Sequence, residues 1–373
     1  MDSFFRVGII GCGLIGNKRA KVIKDDRSSS LSCCSDPVLS NAESLIKQFG
    51  DRQTKLYQDW RAMLDREKLD LVVVATPNKY LKEITLEAAH RKIHILCEKP
   101  LGRNLVDSIE MVDAAARNKV FLKTGFNHRY HPAIRKAYTM VKEGAIGEIY
   151  YAKCTYGHGG RPGYEKEWRA SKEMCGGGEL LDQGVHVVDL FRWVMGDFEE
   201  AFGTISIYYW NMEVEDNVFA LFKTAEGKTA SMHTSLTQWK NRFTFEVYGE
   251  AGYLIVEGLG GSYGTETLKI GKRRRVKTER VIDEGITDIE RPSAIGHEQN
   301  VQYWGGAPDE EVIEFPGPDI SWEEEWKEFT AAIREGREPL GSGRDGLEAN
   351  RMIEAAYRSA RENRPIKIKE IKC

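Results

Sequence analysis

Lys99, Asp182 and His186 are the residues of this sequence whose types and settings suit proton transfer. An unperturbed imidazole titrates at about pH 6.5, so His186 can take a proton from a hydroxyl at neutral pH. Asp182 precedes His186 by four residues, and on one helix that spacing turns both side chains the same way. The carboxylate can then orient the imidazole or hydrogen-bond a neighbouring substrate hydroxyl, and it should raise the imidazole pKa. Lys99 follows the apolar run 93–97, where a cation can hydrogen-bond a reacting oxygen and stabilise developing alkoxide charge. An Asp–His pair on a helix is by itself most often a surface contact. Two features lift this pair above that: the Gly176-Gly177-Gly178 run just before it and a glycine signature near the N-terminus.

That signature is Gly11-Cys12-Gly13-Leu14-Ile15-Gly16, a G-x-G-x-x-G run after the apolar stretch 5–10 and at the start of a helical pattern. In that context the first glycine makes a tight turn and the second lets a pyrophosphate approach the backbone. The third lets helix and strand pack closely. Asp36 lies 20 residues past Gly16 at the end of the second apolar run, where its carboxylate can accept both ribose hydroxyls of a dinucleotide. Ala75-Thr76-Pro77-Asn78 and Cys97-Glu98-Lys99-Pro100 end two further runs, and ligands of such sheets bind beyond the carboxyl ends of the strands. Thr76, Pro77, Asn78, Glu98 and Lys99 should therefore border the cofactor with the glycine loop and Asp36. Asp36 would repel a 2′-phosphate and neither Ser35 nor Pro37 offsets it, so the expected cofactor is NAD rather than NADP. Lys18 and Arg19 are the basic side chains that could reverse this preference.

Tyr156, His158, Arg161, Tyr164, Trp168 and Arg169 cluster before the Asp182–His186 segment. Aromatic faces pack on sugar C–H surfaces, and arginines can hold a carboxylate or phosphate. Tyr156, Arg161, Tyr164 and Trp168 are thus expected beside the substrate with Lys99, Asp182 and His186, and an acidic or nucleotide-linked sugar stays open.

The elements that must position these groups fall into two halves. Up to residue 125, apolar runs at 5–10, 31–35, 71–75, 93–97 and 120–125 alternate with helical spacing at 14–24, 41–49, 60–67, 79–91 and 105–118, and 54–57 adds a short strand. That alternation predicts an α/β doubly wound parallel sheet of the Rossmann type in a domain over 1–125. After a helix at 132–142, strand-like runs at 148–156, 201–210, 217–222, 229–236, 243–248 and 253–257 follow with short links. Helical patterns cover 180–194, 322–335 and 346–363. Residues 126–373 thus read as an α+β domain for substrate binding and oligomerisation, a large open, mostly antiparallel sheet with helices on one face. The basic run Lys272-Arg273-Arg274-Arg275 with Lys277 reads as a solvated strand or hairpin tip, and 283–318 as a long surface loop.

Composition narrows the class. With 54 basic against 57 acidic residues the formal charge is −3, which gives no reason to expect a nucleic-acid partner. No apolar run approaches the ~18–20 residues of a membrane span, and the N-terminal stretch does not read as a signal peptide. Seven cysteines without a C-x-x-C pair point to reduced thiols in the cytoplasm, and no metal spacing is present. A sheet with one face uncovered and bulky apolar residues on both alternating sets, as in 205–210, predicts a homo-oligomer.

Taken in order, these motifs resemble the Gfo/Idh/MocA family of glucose–fructose oxidoreductase and inositol dehydrogenase. The resemblance runs through the glycine loop with Asp36, Thr76-Pro77-Asn78, Glu98-Lys99-Pro100, Gly125-Phe126-Asn127 and Trp168-Arg169. It continues through the triple glycine, Asp182-Gln183-Gly184-Val185-His186 and Asp189. It implies a Rossmann domain and an open-sheet domain, NAD or NADP as cofactor, hydride transfer at a hydroxyl carbon of a sugar, cyclitol or related polyol, and dimers or tetramers through the open sheet face. It also implies that Lys99, Asp182 and His186 form the active site, with Asn127 and Arg169 on the cofactor side. Members often carry a histidine three residues after the Asn of Thr-Pro-Asn; here Leu81 stands there. Two other readings stay open: transient redox by bound NAD during elimination, hydrolysis or internal redox, and a dinucleotide sensor without turnover.

Overall fold

The structure, a computed structural model, describes residues 4–272 and 310–371. Among these, the first half forms β1 (Phe5–Ile10), α1 (Leu14–Asp25), β2 (Ser29–Ser35), α2 (Leu39–Phe49), β3 (Lys55–Tyr57) and α3 (Trp60–Arg66). It continues through β4 (Leu71–Val74), α4 (Asn78–His90), β5 (His94–Cys97), α5 (Leu105–Asn118) and β6 (Leu122–Thr124). The strands make a six-stranded sheet in the order β3-β2-β1-β4-β5-β6, parallel throughout. Its order reverses between β1 and β4, the place where doubly wound sheets open a crevice for ligands. Alternation along β1 and β4 sends Ile9 and Val73 to a core with Ala20, Ile23 and Leu45, and Ile10 and Val74 to a core with Ile84, Ala88 and Met111. Leu81, in the second of these cores, is fully buried.

The second half adds α6 (Pro132–Lys142), β7 (Ile149–Gly157), α7 (Lys172–Cys175), α8 (Glu179–Asp182), α9 (Gly184–Met195), β8 (Glu200–Ser206), β9 (Asn217–Lys223) and β10 (Thr229–Ser235). Then come β11 (Arg242–Gly249), β12 (Gly252–Glu257), β13 (Glu266–Lys272), β14 (Glu310–Phe315), α10 (Ser321–Glu335), α11 (Gly343–Glu362) and β15 (Ile366–Lys367). Nine strands form one sheet, β14-β13-β12-β11-β7-β10-β9-β8-β15, antiparallel except for β7 against β10. Along β9, Val218, Ala220 and Phe222 are buried while Phe219, Leu221 and Lys223 are exposed, so one face packs and the other is open. Among the described residues no helix is long and apolar enough to cross a membrane.

Four expectations change. The 201–210 strand stops at Ser206 because the Asp216 carboxylate takes the backbone N–H groups of Tyr208, Tyr209 and Trp210 at 2.8–2.9 Å, drawing them out of the ladder. The 180–194 helix is two helices broken at Gln183. Within the expected 283–318 loop, 310–315 is an edge strand, whose Ile313 and Phe315 pack against the sheet core. The remainder of that loop up to 309 lies outside the described residues, as do Arg273, Arg274, Arg275 and Lys277. Finally, α10 does not cover the second sheet: Trp326 and Phe329 pack into the first sheet's core beside Ile9 and Ile23.

Candidate active site

The glycine loop turns out of β1 at Gly11, whose φ is +96° and whose Cβ, if it had one, would meet the Ala75 carbonyl at 2.5 Å. A Cβ on Gly16 would lie 2.0 Å from the Gly11 carbonyl, so α1 sits directly on the loop. Gly13 differs: nothing lies within 4 Å of where its Cβ would be. It is the N-cap of α1 and offers no side chain to the first-turn N–H groups, while Leu14 is 76 % exposed and Ile15 half-buried. An uncapped helix start behind an open glycine suits an anion such as a pyrophosphate.

Asp36 accepts the Cys12 N–H at 2.8 Å through Oδ2 and the Val38 N–H at 2.9 Å through Oδ1, and so ties the end of β2 to the glycine loop. Neither basic side chain that could have served a 2′-phosphate contacts Asp36. Arg19 is buried, bound to Glu98 and Glu325, and Lys18 sits over the Trp322 ring at 4.7 Å. The residues present fit NAD. Further along the crevice, the buried Thr76 hydroxyl has no partner, Pro77 leads into α4, and Asn78 Nδ2 donates to the Cys175 carbonyl at 2.8 Å. Asn127 Nδ2 donates to Ser321 Oγ at 2.9 Å, which joins the region after β6 to the start of α10.

Lys99 Nζ donates to both the Asp182 carbonyl, at 2.6 Å, and Asp182 Oδ1, at 2.5 Å. Arg169 Nε approaches Asp182 Oδ2 at 3.3 Å. Burial pushes the Asp182 carboxyl pKa up, but Lys99 and Arg169 outweigh it and hold the group well below the usual carboxylate range. Asp182 is therefore an anion between two cations.

His186 lies across the break at Gln183 and differs from expectation. Its Nδ1 has no partner, and its ring stacks on His128 at 3.8 Å between centroids. Burial, then the Lys99 and His131 charges, lowers its pKa well below the ordinary value. The expected upward shift by Asp182 is thus overturned: the carboxylate's oxygens are engaged by Lys99 and Arg169, and desolvation in a packed site wins. The ring is oriented by stacking rather than by a carboxylate, and it stays neutral at pH 7.

A narrow cleft opens beside this group, lined by Asn78, Tyr164, Trp168, Arg169, Glu179, Asp182 and residues of the 212–215 segment. Of the expected substrate residues Tyr164 and Trp168 are among the lining residues, and Arg169, expected on the cofactor side, lines the same cleft stacked on Trp168 at 4.4 Å. Arg161 and Tyr156 are not among the lining residues. Arg161 is exposed and paired with Glu167 at 2.6 Å, and Tyr156 packs in the core against His128 and Phe243. Sequence reasoning missed His128 and Glu179. His128 directly follows Gly125-Phe126-Asn127, and Glu179 directly follows the triple glycine, so each adjoined a signal already in view.

Residues 5–126 match the oxidoreductase family with an NAD-binding Rossmann fold, and residues 134–255 match the GFO/IDH/MocA C-terminal domain. The chain is 30 % identical over 241 residues to levoglucosan dehydrogenase of Pseudarthrobacter phenanthrenivorans, covering 57 % of this chain and 61 % of that protein. It is 26 % identical over 369 residues to myo-inositol 2-dehydrogenase of Thermotoga maritima, covering 98 % and 99 %. Its fold is similar to a structure of levoglucosan dehydrogenase in complex with NADH and L-sorbose, with a TM-score of 0.81 over 98 % of each chain at 22 % identity.

Proposed function

The chain belongs to the Gfo/Idh/MocA family of NAD-binding oxidoreductases, and from that premise we propose that it moves a hydride between NAD and a hydroxyl-bearing carbon of a sugar, cyclitol or sugar derivative. The observation that carries this reading is the neutral His186, its Nδ1 without a partner, four residues beyond the Asp182 that pairs with Lys99 and lines the cleft. Bound NAD supplies the hydride acceptor. The chain supplies the rest. Gly11, Gly13 and Gly16 with the first turn of α1 hold the phosphates, and Asp36 the ribose. Thr76, Asn78, Glu98 and Asn127 border the nicotinamide end.

Lys99 Nζ donates a hydrogen bond to the reacting oxygen and stabilises negative charge on it as its proton leaves. His186 takes that proton, and its low pKa keeps it ready to do so at neutral pH. Asp182 holds Lys99 in place, while Tyr164 and Trp168 give the ring apolar faces to lie on. Absorbance at 340 nm with a panel of polyols and both cofactors tests the reading. NADH should form with at least one polyol, and kcat/KM should be at least about tenfold higher with NAD than with NADP, because Asp36 has no cation beside it. No reduced cofactor with any polyol would count against the reaction, and a preference for NADP against the cofactor.

The same reading includes a second copy of the chain. Phe219 and Leu221, each 48 % exposed, and Tyr151 and Val312 stand on the uncovered face of the nine-stranded sheet. Pairing of identical faces buries them. Light scattering at micromolar concentration should give a dimer or tetramer, and the Phe219→Glu, Leu221→Glu double variant should shift it toward monomer. A wild-type monomer overturns this. The six cysteines of the described residues are free and buried, which suits a cytoplasmic enzyme.

A further inference from the structure

Three carboxyl groups line the cleft: Glu179, Asp182 and Glu215. Two are spoken for. Asp182 holds Lys99 and Arg169. Glu215 accepts the N–H groups of Gly178 at 3.0 Å and Leu180 at 3.1 Å and the Tyr357 hydroxyl at 2.6 Å, so it staples the glycine turn. Glu179 is different. It is 1 % exposed, and its Oε1 has no hydrogen-bond partner.

The backbone forces it there. A Cβ on Gly178 would lie 2.1 Å from the Glu215 carbonyl, and the Glu179 N–H donates to that same carbonyl at 3.0 Å. With both contacts fixed, the first side chain after the turn is directed into the buried wall. Buried polar atoms are nearly always paired, and one left open beside a cleft is an acceptor that a ligand's polar group can fill.

We propose that Glu179 selects the substrate by hydrogen-bonding a second hydroxyl, one or two ring carbons from the one that reacts, and that the substrate is an uncharged sugar or cyclitol. This rests on the reading that the cleft takes a polyol. Glu179 and Asp182 are three residues apart on α8, neighbours on the helix surface, so Glu179 lies beside the carboxylate that holds Lys99. Burial, with Asp182 and Glu215 close by, raises the Glu179 pKa well above the usual range, so it meets the hydroxyl as a neutral acid able to donate and accept. A substrate carboxylate or phosphate would meet cations already paired with a carboxylate, beside two further acids, Glu179 and Glu215. Arg169 is held by Asp182 and approached by Glu167 at 3.8 Å, and Lys99 is held by Asp182. The acidic sugar that sequence left open is thereby disfavoured.

Calorimetric titration of the full chain saturated with NADH, using neutral hexoses and inositols and the matching uronic acids, tests this. Thermal melting confirms that each variant is folded. At least one neutral polyol should bind, and its uronic acid at least about tenfold more weakly. E179Q keeps a neutral donor and acceptor at the same reach and should bind the polyol within about threefold of wild type. E179D withdraws the carboxyl by one methylene and should weaken binding at least about tenfold. Wild-type affinity in E179D, equal binding of sugar and uronic acid, or no binding of any polyol would each overturn the proposal. The 340 nm assay run in parallel separates it from the function on which it rests. Polyol binding that depends on Glu179 without NADH formation leaves this inference standing and removes the dehydrogenase reading.

Discussion

Lys99→Met and His186→Ala should each lower turnover by roughly 10²–10⁴-fold while leaving NAD affinity near wild type. The two losses have different causes. Lys99 is the cation that can face an alkoxide, and methionine keeps its length without the charge. His186 is the base, and alanine removes it together with half of the His128 stack. Cofactor affinity should survive because it rests on the glycine loop and Asp36, which neither change touches. The pH profile separates the roles further. A base whose pKa is lowered is unprotonated at and above its ordinary pKa, so kcat should be flat above about pH 6.5 and fall only on the acid side. In that acid window the unfolded chain takes up protons that buried His128 and His186 resist, so stability also falls, and melting must be followed alongside the rate. His186→Ala should abolish the acid limb where the protein is still folded. A variant with near wild-type turnover and the same limb would move the role of base to Lys99. Asp182→Asn tests the remaining member: it keeps the shape and the backbone acceptor for Lys99 but removes the negative charge between Lys99 and Arg169, so it should cost turnover without abolishing cofactor binding.

Much of this was legible from local pattern. β1 and α6 have the bounds that their apolar spacing predicts, Phe5–Ile10 and Pro132–Lys142. The glycine loop and Asp36 are 24 residues apart in the hydrogen bond that joins them, yet each carries its own signal, a turn and a strand end. What pattern could not supply was the outcome of contacts between distant segments. His186 reads as a base beside a carboxylate because Asp182 is near in sequence. The ring that sets its environment, His128, arrives from 58 residues earlier, and with it comes the burial that reverses the pKa. The strand 200–206 ends where it does because Asp216, from beyond the turn, captures three N–H groups. Likewise, the apolar stripe of α10 says that the helix packs on something, and only Arg19, Trp326 and Glu325 together say that it returns to the first sheet.

That return sets up a large expected loss of stability, from Arg19→Met. Arg19 is 1 % exposed and is held by two carboxylates, Glu98 after β5 and Glu325 in α10, both at 2.6 Å. Methionine fills similar volume but leaves those carboxylates buried without their shared cation, and breaking a buried pair in this way costs about 3–5 kcal/mol. The exposed pair Lys21–Asp25 lies on the same helix at 2.8 Å and serves as the contrast. Both of its side chains are more than half exposed, so Lys21→Met should change stability by no more than about 1 kcal/mol. Equilibrium unfolding in urea measures both. The second replacement Glu325→Leu, made on top of Arg19→Met, removes one of the stranded carboxylates and should recover part of the loss, a coupling of about 0.5–3 kcal/mol expected of residues in one network. Turnover gives an independent reading, because Glu98 immediately precedes Lys99 and Arg19 fixes its carboxylate. Arg19→Met should therefore lower kcat even at temperatures where the protein is fully folded, whereas Lys21→Met should not. If Arg19→Met proved no more costly than Lys21→Met, the buried network would be incidental to both the fold and the placement of Lys99.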